Sequence, residues 1–200
     1  MNRVDKTEEV AGLIKNFKSW LNDSSKPTDF LWKEEFEKLI EKKHKKYPDV
    51  LSSISEEDSK LLSEYLVEKI RAETPLEKVL LSIIWKQGDY GKIKSFIETI
   101  TEKEKASETG LVFRQFARHI SNPEEQPIID QHVLRAYLAI EKGDDIQELE
   151  KIRNRGAVTQ KDSDLIADYI RWYRTKDLTF KADYKLDDYL FVLGKLIKTK

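Results

Sequence analysis

Apolar residues along the chain recur at intervals of three and four rather than two, the period of a helix that buries one face. Val10, Leu13, Ile14, Phe17, Trp20 and Leu21 form the first such stripe, and the polar run from Asn22 to Lys26 ahead of Pro27 ends it. A second helix is predicted from about Thr28, with Trp32, Phe36, Leu39 and Ile40 on its inner face. It closes at Tyr47-Pro48, because the residue before a proline is driven out of the helical region. Two later starts carry more than periodicity. Ser55 has Asp58 at the reciprocal capping position, and Thr74 precedes Pro75 at the first helical position with Glu77 two further on. The helices they open present Leu62, Tyr65, Leu66 and Ile70, then Leu76, Val79, Leu80, Ile83 and Ile84 as far as Gly88.

A shorter helix with Ile93, Phe96, Ile97 and Ile100 follows, and a charged connector leads to Gly110. The next helix carries Val112, Phe113, Phe116 and Ile120 and stops at Asn122-Pro123. An extended Pro127-Ile128-Ile129 then enters a helix that starts at Asp130 and bears Val133, Leu134 and Tyr137. Beyond Gly143 the stripes are Ile146, Leu149 and Ile152, then Leu165, Ile166, Tyr169, Ile170 and Tyr173, then Leu190, Leu193, Leu196 and Ile197. Nine to ten helices without a fixed-period repeat predict an all-α, globular multi-helix fold rather than a solenoid or a four-helix bundle.

Composition narrows the chemistry. Only 7 Gly and 5 Pro interrupt 200 residues, which agrees with a helical chain. The 36 Lys+Arg and 37 Asp+Glu nearly cancel to a net charge of -1, so a globally basic nucleic-acid binder is excluded while a local basic face is not. The absence of cysteine removes disulfides, thiolate metal sites and thiol catalysis, and fits a reducing, cytoplasmic setting. No stretch approaches the ~20 apolar residues of a membrane span, and no membrane contact is expected.

Glu34, Glu37, Glu41 and His44 line one face of the second helix, and Glu41 and His44 form the Glu-x-x-His pair of carboxylate-bridged di-iron bundles. Such a site needs a second pair. His119 and His132 are preceded at that spacing by Phe116 and Ile129, so no metal and no cofactor are expected and the acids read as a solvated face. Lys42, Lys43, Lys45 and Lys46 close the same helix, where they either bind phosphate or complement the negative helix end. Trp172, Tyr173, Tyr184 and Tyr189 interleave with Arg171, Arg174, Lys176, Lys181 and Lys185, a mixture suited to stacking and neutralising a strand, although Tyr169 and Tyr173 also have core spacing.

Pro127 to Ala136 reads PIIDQHVLRA, and this stretch resembles the aspartate segment of the helix-hairpin-helix DNA glycosylase superfamily, the endonuclease III-like proteins. In that family an apolar pair precedes the Asp, and a His, an aliphatic residue and an Arg follow on the next helix; Asp130, His132, Val133 and Arg135 stand in those places. The resemblance implies a two-lobed helical fold, with residues 28–126 as a central core whose hairpin lies near Gly110 and residues 1–27 plus 127–200 as the second lobe. It implies duplex DNA as partner, gripped by Gly110, Arg114, His132 and Arg135, and Asp130 as the catalytic group that stabilises positive charge at the sugar carbon or orients a water. Val112 stands where bifunctional members carry a lysine, and only Gly110 remains of the Gly-x-Gly hairpin. Any enzyme would therefore be a monofunctional glycosylase without lyase activity. Two other readings stay open: Asp130 as a plain helix cap, and a non-enzymatic helical module that binds proteins on the same scaffold.

Overall fold

A computed structural model of the protein describes residues 3–22, 30–46, 54–64, 73–88, 90–101, 110–123, 125–176 and 184–198. The described residues form ten α-helices and one short 3-10 turn, with no strand. In chain order they are α1 (Arg3–Asn22), α2 (Phe30–Lys46), α3 (Glu56–Glu64), α4 (Pro75–Lys86), α5 (Tyr90–Ile100), α6 (Leu111–Ser121), α7 (Gln131–Lys142), α8 (Ile146–Arg153), α9 (Ser163–Arg174) and α10 (Leu186–Leu196). The all-α class expected from breaker scarcity and periodicity is what the chain adopts. No described helix is long and apolar enough to cross a membrane.

Two compact units divide the chain: Met1–Val50 with Ile129–Val158 and Asp162–Lys200, and Leu51–Ile128 with Thr159–Lys161. Helix α2 belongs to the first of these, whereas the family resemblance implies a core spanning residues 28–126 that would include it. The reason is packing: Phe36 meets Phe17 of α1 with ring centroids 6.0 Å apart, and α2 lies against α10.

Helix α7 is the axis of the first unit. Every residue from Val133 to Ile140 is buried, so this helix is covered on all sides, as a helix apolar around most of its circumference must be. α1, α8, α9 and α10 all pack on it. The crossing with α10 is close because Gly194 lacks a side chain: a Cβ there would stand 1.8 Å from the carbonyl oxygen of His132. A second set of rings closes the unit, with Trp20 4.9 Å from Tyr189 and Tyr137 5.4 Å from Tyr169 between centroids. Leu39 departs from the predicted stripe of α2, since Phe36 and Ile40 are buried but Leu39 is exposed.

In the second unit Ile100, Ala117 and Ile120 make the buried centre, with Ile54, Leu62, Phe96 and Phe116 packed against it. Both capping boxes form as the sequence predicts. Asp58 N–H donates to Ser55 Oγ at 3.1 Å and Ser55 N–H to Asp58 Oδ2 at 3.0 Å; Glu77 N–H donates to Thr74 Oγ1 at 3.2 Å and Thr74 N–H to Glu77 Oε2 at 2.9 Å. Helix α6 buries polar side chains that the apolar pattern left out. Gln115 Nε2 donates to the Pro127 carbonyl at 3.1 Å and His119 Nδ1 to the Gln126 carbonyl at 2.6 Å, so both satisfy backbone of the extended segment that runs into α7. Tyr65, Leu66 and Ile70 lie outside the described residues. The stripe of α4 faces outward rather than inward, as do Ile146 and Leu196.

The α7–α10 crossing predicts that Gly194→Ala destabilises the protein by about 2–3 kcal/mol, because the added methyl pushes two backbones apart. Gly12→Ala, in α1 with nothing within 4 Å of the new methyl, should instead stabilise by about 0.5–1 kcal/mol. Urea unfolding of the two variants measures both signs.

Candidate nucleic-acid interface

The residues picked out by sequence fall on both units. Gly110 and Arg114 are in the second, where Gly110 caps α6 in the left-handed conformation (φ 74°) and accepts the Arg114 N–H at 3.0 Å. The Arg114 residue is buried. Asp130, His132 and Arg135 are in the first unit. Asp130 has the extended backbone of an N-cap, and its Oδ1 accepts from the His132 and Val133 amides, each at 2.7 Å. That is the geometry a helix cap requires, and it leaves this oxygen committed to α7.

Arg135 points inward, with 0% of the residue exposed. Its guanidinium donates to His132 Nδ1 at 2.9 Å, to the Gly194 carbonyl at 3.0 Å and to the Arg155 carbonyl at 2.5 Å. Burial pushes the Arg135 guanidinium below its ordinary value, Asp130 opposes that, and Arg155 adds to it. The side chain thus ties α7 to α10 and to the segment after α8, and presents no donor to a DNA phosphate. His132 is half-buried. Burial lowers its pKa, Asp130 raises it, and Arg135 and Lys195 lower it further, so the ring accepts from Arg135 as a neutral imidazole.

The structure instead brings together two basic segments that are far apart in sequence. Phe191 of α10 lies at a corner of the first unit, with Lys195 Nζ 4.6 Å and Lys43 Nζ of α2 5.0 Å from its ring centroid, and the His132 ring edge-on at 5.3 Å. Lys195, Lys42 and Lys45 are exposed. Beneath them Asp188 is buried, accepting from Lys43 Nζ at 2.5 Å and meeting His44 Nε2 at 3.1 Å. Burial alone would raise the Asp188 carboxyl, but Lys43 and His44 overcome it and hold the group below its ordinary value of 3.8. The His44 ring also stands edge-on to Tyr184 at 5.5 Å.

Two ammonium groups over one aromatic ring set positive charge beside a partly exposed apolar surface. One of the two lysines is compensated by Asp188; exposed Lys195 makes its cation–π contact with Phe191. Sequence reasoning singled out Lys43, Tyr184 and Lys185 but passed over Phe191 and Lys195. Their spacing of four on one helix was the available signal, masked by the apolar run Leu190, Val192 and Leu193 around them. Glu37, assigned to a solvated face, accepts the Tyr189 hydroxyl at 3.3 Å, and no group of three or more His, Asp or Glu among the described residues is placed to hold a metal ion.

No family model, curated protein or solved structure matches the chain.

A folded-state carboxyl held below 3.8 contributes stability that is present above that pH and is lost as pH falls through the lowered value. Stability should therefore decline below about pH 4, and Asp188→Asn should flatten part of that decline while costing about 2 kcal/mol at pH 7, because Lys43 loses its buried partner. Denaturant midpoints from pH 7 to pH 2.5 for the two proteins test the sign. For Asp130 the capping geometry predicts about 1 kcal/mol lost in Asp130→Ala and well under that in Asp130→Asn, measured the same way.

Proposed function

We propose that the chain binds DNA through the corner formed by α2, α7 and α10, on a helical scaffold of the helix-hairpin-helix glycosylase type, and without base excision. The observation that supports the reading is the placement of Lys43, Lys195 and His132 around the half-buried ring of Phe191, which brings the lysine run of α2 beside the basic end of α10. Lysines supply the sequence-independent attraction to phosphate, and the ring offers a platform for an unpaired or extruded base. The PIIDQHVLRA resemblance supports the same class of ligand. Catalysis is not part of the proposal, because Asp130 Oδ1 is spent on two α7 amides and Val112 replaces the family lysine.

A second reading, a protein-interaction module, is favoured by a different observation: the exposed aliphatic stripe of α4.

Fluorescence anisotropy with labelled single-stranded and duplex oligonucleotides at two salt concentrations tests the DNA reading. Affinity should fall steeply with salt. Lys195→Ala should weaken binding about five- to tenfold and reduce the salt slope by about one, and Phe191→Ala should weaken the single strand more than the duplex. Damaged duplexes should release no base with the wild type or with Asp130→Asn. Binding that neither substitution alters would remove this corner from the reading, and no binding at low salt would end it.

A further inference from the structure

Among the described residues, helix α4 carries more aliphatic surface than its neighbours cover. Leu76, Val79, Leu80 and Ile83 occupy one face at helical spacing and expose 67, 56, 50 and 49% of their surfaces, whereas Leu81 and Ile84 on the side toward the unit are partly buried. Isolated exposed leucines need no explanation, but four adjoining aliphatics on one helix face mark a docking surface. The capping box at Thr74 fixes the start of this helix, so the face is presented on a defined helix.

The charges flanking the stripe identify its occupant. Its amino-terminal end is net acidic, with exposed Glu73 and Glu77 against one exposed lysine, Lys78, and its carboxy-terminal end is basic, with exposed Lys86. The midpoint of the stripe falls between Val79 and Leu80. A two-fold axis there sets Leu76 against Ile83 and Val79 against Leu80 of a second copy, and brings each acidic start to the other copy's Lys86 end. A parallel pair would bring like ends together. The helix dipoles favour the same antiparallel choice.

We propose that α4 is a self-association helix, through which two copies of the chain pair antiparallel about an axis between Val79 and Leu80. The surface is self-complementary, as a closed two-fold dimer requires. It spans only about two helical turns, so the dimer is weak and concentration-dependent, forming at tens of micromolar or above.

Sedimentation velocity on the full chain from ~2 to ~200 µM reads the association. The mass is expected to rise from 23.5 kDa toward twice that value, and Leu80→Glu, with helical circular dichroism intact, should raise the midpoint at least tenfold. Because the chain has no cysteine, orientation can be read by disulfide trapping. A mixture of Leu76→Cys and Ile83→Cys chains should cross-link to each other much faster than either does to itself. A monomer throughout the concentration range would overturn the proposal, as would a dimer indifferent to Leu80→Glu. Leu76→Cys chains trapping one another as fast as they trap Ile83→Cys chains would overturn the antiparallel register. None of these outcomes bears on the DNA reading, which is tested on other helices.

Discussion

The close contact of α7 with α10 governs the first unit. Gly194 lets the backbone of α10 come against the His132 carbonyl, and the Arg135 guanidinium then bridges the same two helices by donating to the Gly194 carbonyl. A side chain at position 194 would hold the helices apart and take Arg135 away from its acceptors. The exposed corner inherits its geometry from this crossing, because Phe191 and Lys195 are borne by α10 and His132 by α7.

Arg135 and Arg153 are met chiefly by carbonyls and a hydroxyl, and Asp187 and Asp188 accept from side chains of other helices. Arg153 donates to the Ile197 carbonyl at 3.0 Å and to Thr7 Oγ1 at 2.7 Å, so it fastens α8 to α1 and to the end of α10. Asp187 accepts the Tyr169 hydroxyl at 3.0 Å, and Asp188 accepts Lys43. Burial pushes the Tyr169 phenol well above its ordinary value, and Asp187 adds to it, so the phenol stays a donor at any moderate pH. Each of these side chains joins helices rather than merely occupying one.

Local signals were legible in the sequence and cooperative ones were not. Ser55 with Asp58 and Thr74 with Glu77 declare helix starts because the cap is made within four residues. The inner faces of α1 and α7 follow from periodicity for the same reason. Arg135 is expected to grip DNA, yet it turns inward to acceptors on α10 and after α8 that no local pattern announces. The burial of Asp187 and Asp188 goes unread because their partners, Tyr169, Lys43 and His44, are contributed by other helices. The one local hint was the density of apolar residues around them in LDDYLFVLG. Leu76, Val79, Leu80 and Ile83 fit a core stripe perfectly well by period; what periodicity cannot supply is the identity of the surface that covers them.

The division of the chain also sets a timetable for synthesis. Lys43 and Asp188 are separated by 145 positions, Thr7 and Arg153 by 146, and Glu37 and Tyr189 by 152, while in the second unit Ser59 reaches Ile100 across only 41. At roughly 5–20 residues per second, α1 and α2 leave the ribosome on the order of ten seconds before α10 exists. Through that interval Phe17, Trp20, Phe36 and Ile40 lack α7 and α10, which complete their burial, whereas the intervening segment can already close on itself. The first helices to be translated are thus among the last to be finished, and the lysines and glutamates crowding α2 keep an unfinished, apolar-faced helix hydrated until its partners arrive.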